Sequence, residues 1–310
     1  MNLDLEKYNI DFESWTNELM DNAEVYNTVD GTAEALSENH YPDIRKEDMR
    51  IVFKNIAYAI AISCLKYGLD VKTVREKLSK IRLKFTPKVY YGSDNYGTGG
   101  IESTSVRPYI ENLGDFKLEY DLNYLIQAAE NFKLGQEYQP SIGATVFTTF
   151  HEMRHLYRFE QTYNDYYKSS LDAAALFELY KGPNYRIIIY DFVYLPSLGE
   201  MDANTEARNL AQYIVDHREE VMFDNLVIET LSESVELTLK EKEDSDYRVS
   251  EILALTEKDK HNKPIHKPSS IDQNTKDNLK ALIQLYVDGF IHNNQLTPEK
   301  IAVLKWLANN

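Results

Sequence analysis

Cysteine is almost absent: Cys64 is the only one in 310 residues. No intrachain disulfide can form, and thiolates cannot dominate a metal site, which fits a reducing cytoplasm. Long apolar runs are missing as well. The longest nearly uncharged stretch, Ile56 to Leu65, falls short of the roughly 20 residues that cross a bilayer. The first twenty residues carry Asp4, Glu6, Asp11, Glu13 and Glu18 in place of a basic start and an apolar core, so no secretory signal is expected. The expectation is a cytoplasmic chain with no membrane span. Clustered cations are lacking too: 34 Lys and Arg stand against 50 Asp and Glu, a net charge of −16 and a pI near 4.9. That balance opposes non-specific nucleic-acid binding. It reads as a solvated acidic surface rather than as mimicry of nucleic acid.

What is present can fill a core. Hydrophobic residues make up 43% of the chain, enough for one large domain or two modest ones. Residues 1–42 are acidic and sparsely apolar, with Leu3, Phe12, Trp15 and Leu19 as anchors, and read as a peripheral layer or arm. From Arg45 to Tyr67 the apolar positions recur at helical spacing, with Gly68 at the stop. Asp70 precedes a second periodic run through Val71, Val74, Leu78 and Ile81. Val89 to Tyr91, and the alternation of Phe116, Leu118 and Tyr120, predict short strands around a long polar loop.

Helices are expected over Asp121 to Phe132, Ile142 to Gln161, Leu198 to Val215, Val221 to Leu239 and Asp277 to Ile291. Leu171 to Tyr180 and Tyr185 to Leu195 suit a strand or a buried helix, with helix preferred. The resulting fold class is α+β, predominantly helical, with a small sheet. Its divisions are an N-terminal helical region 1–83, a core 84–220 and a C-terminal helical region 221–310. No internal repeat is visible.

One motif carries chemistry. His151-Glu152-Met153-Arg154-His155 has the form H-E-x-x-H, which arises by accident on the order of once in a hundred chains with this few histidines. Four residues are about one helical turn, so both imidazoles project from one face and can share an ion. Glu152 then stands where it can take a proton from an activated water and pass it to a leaving amine. Val146, Phe147, Phe150 and Met153 supply the apolar face of such a helix. The plain alternative is two surface histidines beside a solvated glutamate.

Catalytic zinc sites usually take three protein ligands. The best candidate for the third is Glu200 in Leu198-Gly-Glu200-Met-Asp202-Ala-Asn204, and Asn204, one turn on, can hydrogen-bond a ligand histidine. Asp202 and Glu206 leave the helix in other directions. A competing role for Glu200 is local, since Ser197-Leu-Gly-Glu200 has the form of a capping box. His217, His261, His266 and His292 remain alternative ligands. Among 23 tyrosines, Tyr157, Tyr190 and Tyr194 are candidate oxyanion donors, though packing in an aromatic-rich core is the role expected of each. Fe(II), Mn(II) or Co(II) also suit two imidazoles and a carboxylate, but zinc is the usual occupant of this spacing.

From about Thr145 to Tyr213 the chain resembles the gluzincin branch of the zincin metallopeptidases, and more narrowly the ImmA/IrrE-like proteins. In that family an E-x-x-A-N or E-x-x-A-D segment follows H-E-x-x-H, and Glu200-Met-Asp-Ala-Asn204 matches it position by position. The resemblance implies a zincin-like core, zinc held by His151, His155 and Glu200, Glu152 as catalytic base and Asn204 supporting a ligand. It implies hydrolysis of a protein or peptide substrate. Arg154 departs from the small residue, often glycine, common before the second histidine, and the gap between the motifs is longer than usual. Substrate specificity therefore does not carry over, and no DNA-reading module accompanies the motif. Two other functions suit the same residues: a catalytically silent zinc-binding scaffold, or a metal-free helical interaction module.

Overall fold

Helix α2 (Lys46–Tyr67) is apolar nearly all round from Val52 to Cys64, as a helix surrounded by its neighbours must be. Its end is set by Gly68 at φ +68°, where the Leu69 N–H reaches the Cys64 carbonyl at 2.9 Å and the Gly68 N–H reaches that of Leu65 at 3.4 Å. This paired closure needs a left-handed residue, which glycine supplies without a Cβ clash.

This computed structural model describes residues 5, 10–27, 29–36, 46–85, 109–112, 115–161 and 198–240. The chain divides into one unit of Met1–Tyr157 with Thr205–Glu236 and another of Arg158–Asn204 with Leu237–Asn310. Of the second unit only 158–161, 198–204 and 237–240 are described, all helical. The first holds helices α1 (Phe12–Asp21), α2, α3 (Val71–Lys77) and α4 (Leu122–Lys133), and one mixed sheet of five strands. The strands are β1 (Ala23–Asn27), β2 (Ala33–Ala35), β3 (Leu78–Phe85), β4 (Tyr109–Asn112) and β5 (Asp115–Asp121), in the order β2-β1-β3-β5-β4. The coarse expectation of a largely helical α+β protein with a small sheet therefore holds.

Strands β1, β3 and β5 run parallel, and β2 and β4 close the edges antiparallel. Register places Val25, Leu83 and Tyr120 in one row and Ala23, Ile81 and Leu118 in the next, all buried. Alternate positions turn to the other face, as strand geometry requires, and there charge is matched. Arg82 stands between Glu24 and Glu119; Glu24 pairs with Arg82 at 2.9 Å and with Lys80 at 2.5 Å, and Lys84 reaches Glu119 at 3.2 Å.

Residues 12–27 are not a peripheral layer or arm but part of the core and its sheet. Asp11 caps α1 by accepting from Ser14 N at 3.0 Å, Trp15 is fully buried, and β1 pairs directly with the central strand β3. Helical reading also ran too far at Ile81. Val71, Val74, Leu78 and Ile81 fit a helical stripe, but α3, capped by Asp70, stops at Lys77, because Leu78 onward gains two parallel partners. Strands from both sides of residue 84 share this sheet, and Val227, Ile228, Leu231 and Val235 share its core, across the divisions drawn at 83/84 and 220/221.

Helix α5 (Ile142–Gln161) matches its predicted span. Helix α6 (Leu198–Asp216) and helical residues 225–240 follow the predicted pattern within a residue or four. Among the described residues no helix is long and apolar enough to cross a membrane. The expected strand at Val89 to Tyr91 and the elements at Leu171 to Leu195 and Asp277 to Ile291 lie outside the described residues.

Candidate metal centre

Helix α5 starts at Ser141, whose hydroxyl accepts from Ala144 N at 3.1 Å, just after Pro140. Ile142, Val146, Phe147, Phe150, Met153 and Leu156 face the core. Three threonines on the same helix return their hydroxyls to carbonyls one turn back: Thr145 to Ser141, Thr148 to Ala144 and Thr149 to Thr145, the last two at 2.8 Å. Buried hydroxyls are thus satisfied without leaving the helix.

One turn separates His151 from His155, and their Nε2 atoms converge to 2.9 Å with the rings nearly perpendicular at 79°. Two imidazole nitrogens that close share either one proton or one cation. Tetrahedral zinc, with bonds of about 2.0–2.1 Å, sets its nitrogens about 3.3 Å apart, so a parting of about 0.4 Å seats the ion. Glu152 Oε1 lies 3.9 Å from His151 Nε2. Among the described residues these three side chains form the one group of His, Cys, Asp and Glu whose donor atoms gather within 4.8 Å. They have the donors and the spacing to hold a metal ion.

Access is limited. The side chains of His151 and Glu152 are 11% and 10% exposed and His155 is 7% exposed, so all three donors are largely buried with a similar small opening to solvent. Glu152 is not an ordinary solvated glutamate. Its charge is felt by Tyr120 at the end of β5, whose phenol is held well above its usual range, chiefly by complete burial and further by Glu152. The Tyr120 hydroxyl meets Thr149 Oγ1 at 2.9 Å. Because Thr149 already donates to the Thr145 carbonyl, Tyr120 is the donor in this bond. Thr145, Thr149 and Glu152 follow i, i+4, i+7 spacing along one stripe of α5, a signal legible in the sequence that went unused.

On the other side of the histidines, Arg154 is also buried. Its guanidinium carbon lies 5.2 Å from the ring centres of both Tyr67, the last residue of α2, and Tyr157. Those two rings stack at 4.9 Å. Tyr157, a candidate oxyanion donor from sequence, is thus part of an aromatic packing group.

Among the described residues no further candidate ligand joins this group. Glu200 lies within α6, but its side chain is outside the described residues; Asn204 is half-buried on the same helix. Glu206 faces Lys66 at 4.0 Å. His217 is tied to its own helix end: Nδ1 meets the Tyr213 carbonyl at 2.9 Å and the rings stack at 4.0 Å. Tyr190, Tyr194, His261, His266 and His292 lie outside the described residues, as does Ser197, the partner in the alternative capping box. Comparison with protein-family models, curated proteins and solved structures returned no match to this chain.

Proposed function

We propose that this chain is a zinc-dependent endopeptidase in which His151, His155 and Glu200 bind the ion and Glu152 is the general base. The observation that carries the reading is the convergence of the His151 and His155 Nε2 atoms at 2.9 Å with a buried carboxylate 3.9 Å away. Zinc bound there would polarise a scissile carbonyl and acidify the attacking water. Glu152 Oε accepts the proton of that water and delivers it to the amide nitrogen as the bond breaks. The match of Glu200 to Asn204 with the second ImmA/IrrE-like segment supports a carboxylate as third ligand and Asn204 as its neighbour's hydrogen-bond partner. The substrate class is protein or peptide, and the cell compartment is the cytoplasm.

Elemental analysis tests the metal centre. One zinc per wild-type chain is expected, lost or sharply weakened in folded His155→Ala and Glu200→Ala. No zinc after supply of the ion would end the reading. Glu152→Gln tests the chemistry: zinc is retained while hydrolysis of a mixed peptide pool falls by about 100-fold or more. Zinc binding with no hydrolysis by the wild type would leave the silent scaffold.

A further inference from the structure

The two residues that flank the histidine pair on α5 are both buried, and they are held by different parts of the fold. At about 100° per residue, Glu152 and Arg154 each stand about 60° from the nearer histidine, on opposite sides. The Glu152 flank lies along the stripe of Thr149 and Thr145, which β5 reaches through Tyr120. On the Arg154 flank, Tyr67 brings in the end of α2.

We propose that Arg154, packed against Tyr67 and Tyr157, is a positioning residue that fixes how α5 seats against α2 and so where His151 and His155 present a shared metal ion to a ligand from outside α5. This inference rests on the metal-centre reading above. Arginine is rarely buried unless its charge is engaged, and here it is 7% exposed with its guanidinium 5.2 Å from two aromatic ring centres. The guanidinium stands equally far from both centres of the stacked pair, so both rings locate the cation. Arg154 immediately precedes His155, so its anchorage is transmitted through one rigid helical step.

The leverage is large. Imidazole nitrogens stand about 6 Å from a helix axis, so about 2° of rotation shifts them, and an ion they share, by about 0.2 Å relative to a ligand on another element, the tolerance of a metal bond. A small residue at position 154 would remove this contact between α5 and the end of α2. The anchor comes from Tyr67, which a helix nearly ninety residues earlier in the chain contributes.

Titration of Co(II) into the intact protein tests the clamp, reading its visible absorption spectrum and dissociation constant beside thermal unfolding without metal. Arg154→Met keeps the length of the side chain without its charge, Tyr67→Leu removes the ring contributed by α2, and Arg154→Lys keeps the cation without the plane. Arg154→Met and Tyr67→Leu are expected to alter the spectrum and to weaken Co(II) by about 10–100-fold, with Arg154→Lys restoring part of the affinity. Wild-type spectrum and affinity in both, with only the melting temperature lowered, would overturn the proposal. Should one variant fail to fold, the other decides alone. Absence of Co(II) binding by the wild type removes the metal centre, and the clamp's role with it.

Discussion

The Gly143 N–H donates to Thr230 Oγ1 at 3.0 Å, bringing the backbone of α5 against that of helical residues 225–240. A Cβ on Gly143 would stand 2.2 Å from Leu231 N and from the Thr230 carbonyl carbon, so there is no flexible side chain to move aside. Gly143→Ala is therefore expected to destabilise the protein by about 1–3 kcal/mol, through separation of the two helices. Denaturant unfolding checks it. An unchanged midpoint would mean that the helices are not in this contact.

Tyr120 and Thr149 form a buried pair with a fixed donor direction. Tyr120→Phe should cost about 1 kcal/mol, and Thr149→Val a similar amount. The double variant is expected to lose less than the sum, since neither hydroxyl is then left without its partner. A double-mutant cycle of unfolding free energies measures the coupling, and strict additivity would contradict the bond.

Acid stability should depend on Glu24. Its burial raises the carboxyl's pKa, but hydrogen bonds and charge from Lys80 and Arg82 outweigh that, so its folded value lies below the ordinary glutamate range. A depressed folded value contributes stability that is complete above the unfolded pKa of about 4.3 and is lost as pH falls through the lower folded value. Glu24→Gln should thus flatten the acid limb of a stability profile. Asp121 acts in the opposite sense, because burial raises its pKa despite the Tyr124 N–H it caps. An acid limb of the same slope in Glu24→Gln would assign acid unfolding to other carboxylates.

Cys64 should be silent in the native state. Burial, and secondarily the charge of Asp70, push its thiol up to about 12, leaving almost no thiolate at neutral pH. A thiol reagent is expected to label the protein only as fast as it unfolds. Rapid, complete labelling without denaturant would show that α2 opens readily.

Where local chemistry and tertiary pairing agree, the sequence was sufficient. Helix α5 was legible because Ile142, Val146, Phe150 and Met153 keep one face apolar, and the same period placed His151 over His155. The strand β5 was legible from Phe116, Leu118 and Tyr120. The strand β1 was not, because its Glu24 looks solvated until Lys80 and Arg82, far along the chain, neutralise it. The surroundings of Glu152 escaped for a like reason: Tyr120 and Thr149 meet only when β5 packs on α5. Arg154 looked like a departure from a motif, since its partner Tyr67 belongs to another helix.

The order of strands has a consequence for shortened forms of the protein. Strand β3 is flanked by β1 and β5, and β1 with its neighbour β2 comes wholly from residues before 46. Removing that segment would turn β3 into an edge with a row of unpaired backbone groups, and would uncover Ile81 and Leu83 beside it. An exposed edge of that kind recruits other chains. Truncation near residue 45 is thus a route to aggregates rather than to a smaller folded fragment, although it leaves the histidine helix untouched.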